Sequence, residues 1–281
     1  MRLRRRLNYI PLVLAFLAAA PAAVPGQVPA GGRDIILATT TSLRDTGLLD
    51  SLLPIFERET GYRVRAIAVG SGQALKLGER GDADVILAHS PAAEQDFMGH
   101  GFGSSRQVVA WNWFALAGPP GDPAGVAAAP SAPEALRRIA AAGRAFISRG
   151  DSSGTHAREL ALWRQAGGRP SWPGYAETGQ GMGMTLLVAD ERRGYTLTDR
   201  ATLAAFRSRV DLVPLRAEEP ALLNVYHVIE LNPDGRPRVN RAGAHAFATW
   251  ITSSRGQEVI AAFGGPRAPL FVAAHGREPA P

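Results

Sequence analysis

The stretch Asp34-Ile35-Ile36-Leu37-Ala38-Thr39-Thr40-Thr41-Ser42 joins a short apolar run to a string of hydroxyls. Apolar residues in succession, with no polar alternation, describe a strand buried on both faces. The residues that follow change period. Leu48, Leu49, Leu52, Leu53 and Phe56 fall on one face of a helix over Gly47 to Thr60, which Gly61 ends. Val64 to Val69 then reads as a second strand, Gln73 to Glu79 as a short helix, and Ala83 to Ala88 as a third strand. Strands alternating with helices define the α/β class and predict a parallel, doubly wound sheet.

Further along, Val108 to Ala117 is strand-like, and the Pro/Gly/Ala-rich stretch Gly118 to Pro133 is where a crossover to a second lobe is expected. Ala145 to Ser148 is a short strand that feeds a helix over Gly154 to Gln165. Gly181 to Arg192 reads as helix and Gly194 to Thr196 as extended. Asp199 to Arg207 reads as helix with Thr198 or Asp199 as its cap. Asn224 to Leu231 is strand-like, and Asn240 to Phe263 is helical with an interruption at Ser253-Ser254.

The 281 residues include no cysteine, which excludes thiolate metal sites, cysteine nucleophiles and a lipid attached to a lipobox cysteine. A net charge of +6 invites a nucleic-acid partner, but Arg2, Arg4, Arg5 and Arg6 stand together at the start, and the other 27 basic residues face 25 acidic ones. No nucleic-acid partner is therefore expected. Those arginines precede the apolar run Ile10 to Ala20 and small residues with A-x-A spacing around Ala18 to Ala23, the pattern of a signal peptide over residues 1–23. A membrane span needs about 20 apolar residues. Here Pro11, Pro21 and Pro25 bracket a shorter run. The mature protein is expected in the periplasm, secreted and not a lipoprotein.

The chemistry lies in the strand-to-helix turns: Thr39 to Ser42, Gly70-Ser71-Gly72-Gln73, Ser148-Arg149-Gly150-Asp151-Ser152-Ser153-Gly154-Thr155, and Thr178 to Gly183. A helix N-terminus leaves backbone N–H groups unpaired and carries partial positive charge, so it attracts an anion where small residues permit close approach. In an open α/β sheet these turns gather at the carboxyl ends of the strands. Ser and Thr are also the preferred helix caps, so a single such turn carries little weight. Arg149 supplies a full charge suited to bidentate contact with a tetrahedral oxyanion, with a salt bridge to Asp151 as the alternative.

Enzyme patterns are mostly missing. Val69-Gly70-Ser71-Gly72 lacks the glycine that a nucleophile elbow places two residues before its serine. No lysine follows Thr178 to Gly183, which excludes a Walker phosphate loop. The histidines, His89 among them, are scattered without metal-ligand spacing, so no metal site and no cofactor is expected. Ser71 or Ser153 with His156 is the arrangement a secreted serine hydrolase would use. In the first turn of a helix, His156 more often caps or faces solvent.

Taken in order, Ala38-Thr39-Thr40-Thr41-Ser42, Ala68 to Leu75, Gly81-Asp82-Ala83-Asp84-Val85, Ser148 to His156, Gly179 to Gly183 and Tyr195 to Arg200 resemble the tungstate-binding proteins of ABC-type importers. The resemblance runs from Asp34 to Phe263. It implies a two-lobed type II periplasmic binding protein, not an enzyme. Each lobe would be a doubly wound sheet flanked by helices, hinged so as to close on one oxyanion. The implied segments are 34–117 for the first lobe, 118–215 for the second and 216–275 for the return. The implied ligand residues are Thr40, Thr41, Ser42 and Ser71 from the first lobe, and Arg149, Ser153 and Thr155 from the second. The implied partners are tungstate, with molybdate, sulfate or phosphate as alternatives, and an inner-membrane ABC permease. The protein itself is expected to be a monomer.

Departures from the family pattern stand at Leu43-Arg44-Asp45-Thr46, at Asn224-Val225-Tyr226-His227 and at Ala201. Arg44 either strengthens the first turn or faces solvent. Asp151 decides more. Tungstate and molybdate carry no proton at neutral pH, so a carboxylate facing them is unfavourable, whereas partly protonated phosphate accepts one. An Asp151 that pairs Arg149 or caps the helix favours tungstate or molybdate.

Overall fold

The computed structural model describes residues 32–236, 238–265 and 269–279; the signal-peptide segment 1–23 lies outside them. The first elements are β1 (Asp34–Thr40), α1 (Thr41–Thr46), α2 (Leu48–Thr60), β2 (Arg63–Val69), α3 (Ser71–Arg80), β3 (Val85–Ala88) and α4 (Pro91–Gly99). β1 pairs in parallel with β2 on one side and β3 on the other. The successive apolar residues of β1 divide between two cores. Ile35 and Leu37 join Leu52, Phe56 and Phe247 on one face, while Ala38 joins Leu75, Phe97 and Ile229 on the other. Val85 and Leu87 of β3 split from Ile86 and Ala88 in the same way. Burial on both faces is what makes these strands read as unbroken apolar runs.

The chain continues through β4 (Gly103–Gly118), α5 (Ala132–Ala141), β5 (Phe146–Ser148), α6 (Gly154–Gln165), β6 (Tyr175–Glu177), α7 (Met182–Glu191), β7 (Thr196–Asp199), α8 (Arg200–Phe206) and β8 (Val213–Ala217). It returns through β9 (Leu223–Leu231), α9 (Arg241–Thr252), α10 (Ser254–Ala262) and β10 (Val272–Ala273). The sheet is mixed where the alternation of elements predicts parallel strands. β9 runs antiparallel to β3, and β4 runs antiparallel to β9 and to β10. Strand direction depends on which strands become neighbours, and the pattern of apolar residues does not encode that.

β4 connects the two lobes. Its residues Gly103 to Trp113 pair with β9, and Phe114 to Gly118 pair with β7 and β8. Beyond that point lie two more cores, one with Phe114, Leu136, Phe146 and Trp163, the other with Ile147, Met182, Leu186 and Leu212. β5 and β6 pair in parallel and extend the β7 side through the Phe146 to Tyr195 bridge. The stretch after Gly118 holds α5, whose start carries a capping signature: the Ser131 side chain accepts from the Glu134 backbone N–H.

Candidate oxyanion site

The turns after β1, β2, β3 and β5 meet at the junction between the lobes. The Gly70–Gly72 turn lies against residues 151–153: Gly72 N donates to Ser152 O at 3.4 Å. A Cβ on Gly70 would stand 3.2 Å from Asp151 O, and one on Gly72 would stand 3.0 Å from Ser152 O. Gly154, the first residue of α6, is tighter still, with the His89 carbonyl 2.5 Å from its missing Cβ. Side chains larger than hydrogen would hold these turns apart.

Arg149 is 2% exposed and reaches across the junction. Its Nη2 donates to Thr41 Oγ1 at 3.0 Å and its Nη1 to Ser42 Oγ at 3.3 Å. Asp151 Oδ2 accepts from Nε at 3.1 Å and from Nη2, while Asp151 Oδ1 accepts from Ser153 N at 3.2 Å. Asp151 therefore both pairs the guanidinium and caps the turn. Arg44 takes the solvent alternative, 58% exposed and paired with Asp45 at 2.9 Å.

The hydroxyls expected to hold a ligand divide into three groups. Thr40 accepts from Leu43 N at 3.3 Å and Ser153 from His156 N at 3.2 Å, so both act as helix caps. Thr41 and Ser42 hold Arg149. Ser71 Oγ and Thr155 Oγ1 are buried and have no hydrogen-bond partner among the described residues. Buried hydroxyls without partners are costly, and an anion received between them would satisfy both. Ser153 meets the backbone of His156, not its ring, whose Nδ1 accepts from Ser152 N at 3.2 Å. No nucleophile–base pair is formed there. The Gly179–Gly183 turn is already engaged: Gly183 N donates to Asp45 Oδ2 at 3.3 Å, a further link between lobes.

Three further polar residues stand at the junction: Asp199 at the end of β7, expected only as a helix cap, Asn224 on β9, noted only as a departure from the family pattern, and His89 after β3, which lies in none of the motifs. Asp199 accepts from Thr202 N at 2.8 Å and Thr202 Oγ1 at 2.6 Å as the cap of α8. Full burial raises its carboxyl above the usual range, against the opposing pull of Thr202 and Arg149. The position of His89 just past a parallel strand is the one signal that marks it. Among the described residues, no group of three or more His, Asp or Glu is arranged to hold a metal ion. A cavity of about 550 Å³ between Trp113, Leu203, Leu270 and Phe271 is mainly apolar and distant in character from this donor cluster.

Beneath Arg149, Ser148 Oγ donates to Glu159 Oε2 at 2.6 Å and Tyr175 OH donates to Oε1 at 2.9 Å. Burial pushes the Glu159 carboxyl from 4.5 up to about 7, with the two hydroxyls opposing. Folding thus favours its protonated form. That contribution is whole below the ordinary carboxyl value, declines as pH rises, and is gone once pH passes the folded value. The thermal midpoint is expected to fall between pH 5 and pH 8, and Glu159→Gln is expected to flatten that slope in a calorimetric melt. An equal slope in the variant would place the titration elsewhere.

Two lobes sharing a central strand, closed over a cluster of donors, define a ligand-capturing protein, and the chain belongs to the PBP superfamily, whose domain matches residues 25–255. It is 41% identical to the tungstate-binding protein TupA of Peptoclostridium acidaminophilum, over 96% of this chain and 98% of that one. The crystal structure of the tungstate ABC transporter from Geobacter sulfurreducens shares 46% identity with a TM-score of 0.75, over 82% of this chain and 98% of that one. The tungstate-binding protein TupA from Desulfovibrio alaskensis G20 shares 42% identity with a TM-score of 0.67, over 85% and 98%. Within the superfamily, the chain belongs to the family of these tungstate-binding proteins.

Proposed function

We propose that this protein captures tungstate outside the cytoplasm and delivers it to an ABC-type import permease. It acts by binding and release, with no chemical step. Likeness to tungstate-binding proteins carries the choice of tungstate, and Asp151 is the observation that weighs against a partly protonated oxyanion. Both its oxygens are engaged, one by Arg149 and the other by Ser153 N. The junction accordingly presents hydroxyls, N–H groups and a guanidinium, and the Asp151 carboxylate is turned to Arg149 and Ser153 N and not to a ligand proton. A fully deprotonated oxyanion fits that set and a partly protonated one does not. Thr40, Thr41, Ser42, Ser71, Arg149, Ser153 and Thr155 are the proposed binding residues, with Ser71 and Thr155 in direct contact and Thr40 and Ser153 shaping the turns. The segments 34–117, 118–215 and 216–275, a cleaved leader over 1–23 and a monomeric state go with this reading. No helix among the described residues is long and apolar enough to cross a membrane.

The test is isothermal titration of the mature protein, stripped of anions by unfolding and refolding, against tungstate, molybdate, sulfate and phosphate. Tight binding of tungstate, weaker binding of molybdate and no binding of the other two is the expected result. Preference for phosphate would overturn the role given to Asp151, and binding of none would overturn the function.

A further inference from the structure

His89 is 2% exposed, and its Nε2 is buried without a hydrogen-bond partner among the described residues. The rest of the ring is held by one hydrogen bond and two aromatic neighbours. Its Nδ1 lies 2.9 Å from Asn224 Oδ1. The Asn224 amide has both hydrogens engaged, donating to Asn112 Oδ1 at 2.8 Å and to Tyr226 OH at 2.9 Å, so its oxygen faces the imidazole and Nδ1 carries the ring proton. The ring stacks on Tyr226 with centroids 4.8 Å apart and tilts against Phe114 at 6.0 Å. Across the junction, its Cε1 lies 3.1 Å from the Cβ position of Gly154, between the proposed ligands Ser153 and Thr155. His89 thus belongs to the first lobe and touches the second at the oxyanion site.

The charges around it leave a deficit. Arg149 faces the ring from the β5–α6 turn with Asp151 beside it, and that pair is neutral in sum. From α4, Glu94 faces it, but Glu94 is matched by Arg106 and His227, with carboxylate contacts of 2.9 Å to each. From β9 the Tyr226 phenol faces the ring, held neutral by burial, with His227 of the same strand turned to Glu94, and Asp199 faces Arg149 and Tyr226 from β7. Among the described residues facing this ring, a doubly negative anion enclosed here would meet one full cation, Arg149, already paired with Asp151. The helix N-termini offer partial positive charge and N–H donors, and a further full positive charge would offset more of the cost of burying the anion.

Resting on the tungstate reading, we propose that His89 takes up a proton on Nε2 when the oxyanion binds, and that the imidazolium then donates to the anion while Nδ1–H keeps its bond to Asn224. The proton comes from hydronium or a buffer acid in the solvent, whose bond to that proton breaks as the Nε2–H bond forms. Alone, the ring stays neutral: burial foremost, with Arg149 adding to it, lowers its pKa to about 4 against the pull of Asn224, Glu94 and Asp151. An adjacent opposite charge raises such a value by about 1–3 units. Binding therefore takes up protons in the window between the free value and the higher bound value, and affinity tightens as pH falls through the bound value.

Titration of the full mature chain with micromolar sodium tungstate at pH 6, in buffers of differing ionisation enthalpy, counts the protons directly. The wild-type protein is expected to take up about 0.1 to 0.9 proton at pH 6, for a bound value about 1–3 units above the free one, and its Kd is expected to tighten by up to about ten-fold per pH unit between the two values. His89→Gln is expected to take up almost none, with a flat pH profile. Glu159 titrates in a neighbouring range, so Glu159→Gln is the control. Uptake that survives in His89→Gln and disappears in Glu159→Gln overturns the proposal. Tight tungstate binding by the wild-type protein with no proton uptake overturns it too while leaving the ligand reading intact; absence of tungstate binding removes both. Should His89→Gln fail to fold, nitrogen NMR of the wild-type imidazole decides: both ring nitrogens protonated in the bound form supports the proposal, and a neutral ring overturns it.

Discussion

Replacing Arg149 with alanine is expected to weaken tungstate binding by at least about ten-fold. A hydrogen bond to a charged group contributes about 1.5–3 kcal/mol, and each 1.4 kcal/mol is a factor of ten in affinity. The effect should exceed that of any single hydroxyl because Arg149 also joins the lobes. Its guanidinium reaches Thr41, Ser42 and Asp151 together. Truncation would leave Asp151 and the buried Asp199 without the cation they share. Arg149→Lys separates charge from geometry. A lysine keeps the charge as a single point and lacks the planar fork, so it is expected to recover only part of the loss. Calorimetric titration checks the affinity, and the rise in melting temperature with tungstate provides a second measure. Unchanged affinity in Arg149→Ala would reduce Arg149 to a structural link to Asp151.

The parts of this molecule that were legible in the sequence are those governed by local rules. β1 and β3 are continuous apolar runs because each divides its side chains between two cores. α2 ends where Gly61 adopts a left-handed φ of 76°. Other elements lacked such signals. β8 contains Pro214, which argues against a strand, yet this strand meets only β4. α4 begins with Ser90 and Pro91, a valid start, but Ala92 and Ala93 hide its apolar face. α5 overlaps the stretch read as a crossover only at Ala132 and Pro133 and runs on through residues that carried no assignment, although Ser131 and Glu134 marked its start.

For the site, the turns were legible and the pairing within them was not. A threonine that caps a helix and one that holds an arginine read alike, so Thr40 and Thr41 could not be told apart. His89 and Asn224 stand 135 residues apart, and no local pattern connects them. What joins them is the antiparallel β9–β3 pairing, the same feature of the sheet that strand alternation did not foretell. The missed chemistry and the missed topology have one cause.

Gly154→Ala is expected to lower tungstate affinity by roughly 5- to 150-fold while leaving each lobe folded. The missing Cβ would stand 2.5 Å from the backbone oxygen of His89 and about as near the ring, at 3.0 Å from Nδ1. A backbone carbonyl in a packed strand end cannot rotate aside as a long side chain would. Overpacking of this kind costs about 1–3 kcal/mol. Here the lobes can relieve the clash by moving apart, so the cost should fall on closure and therefore on binding. Within α6 itself the substitution acts the other way, since alanine favours helix over glycine by about 1 kcal/mol in a helix interior and by less at this first position. Binding and stability are thus expected to move in opposite directions, a pattern that general damage to the fold does not produce. Gly99→Ala is the control, because nothing lies within 4 Å of its Cβ position. Titration, thermal melts and small-angle scattering of the three proteins check it. Wild-type affinity in Gly154→Ala would mean that tungstate is held by lobes standing farther apart than these.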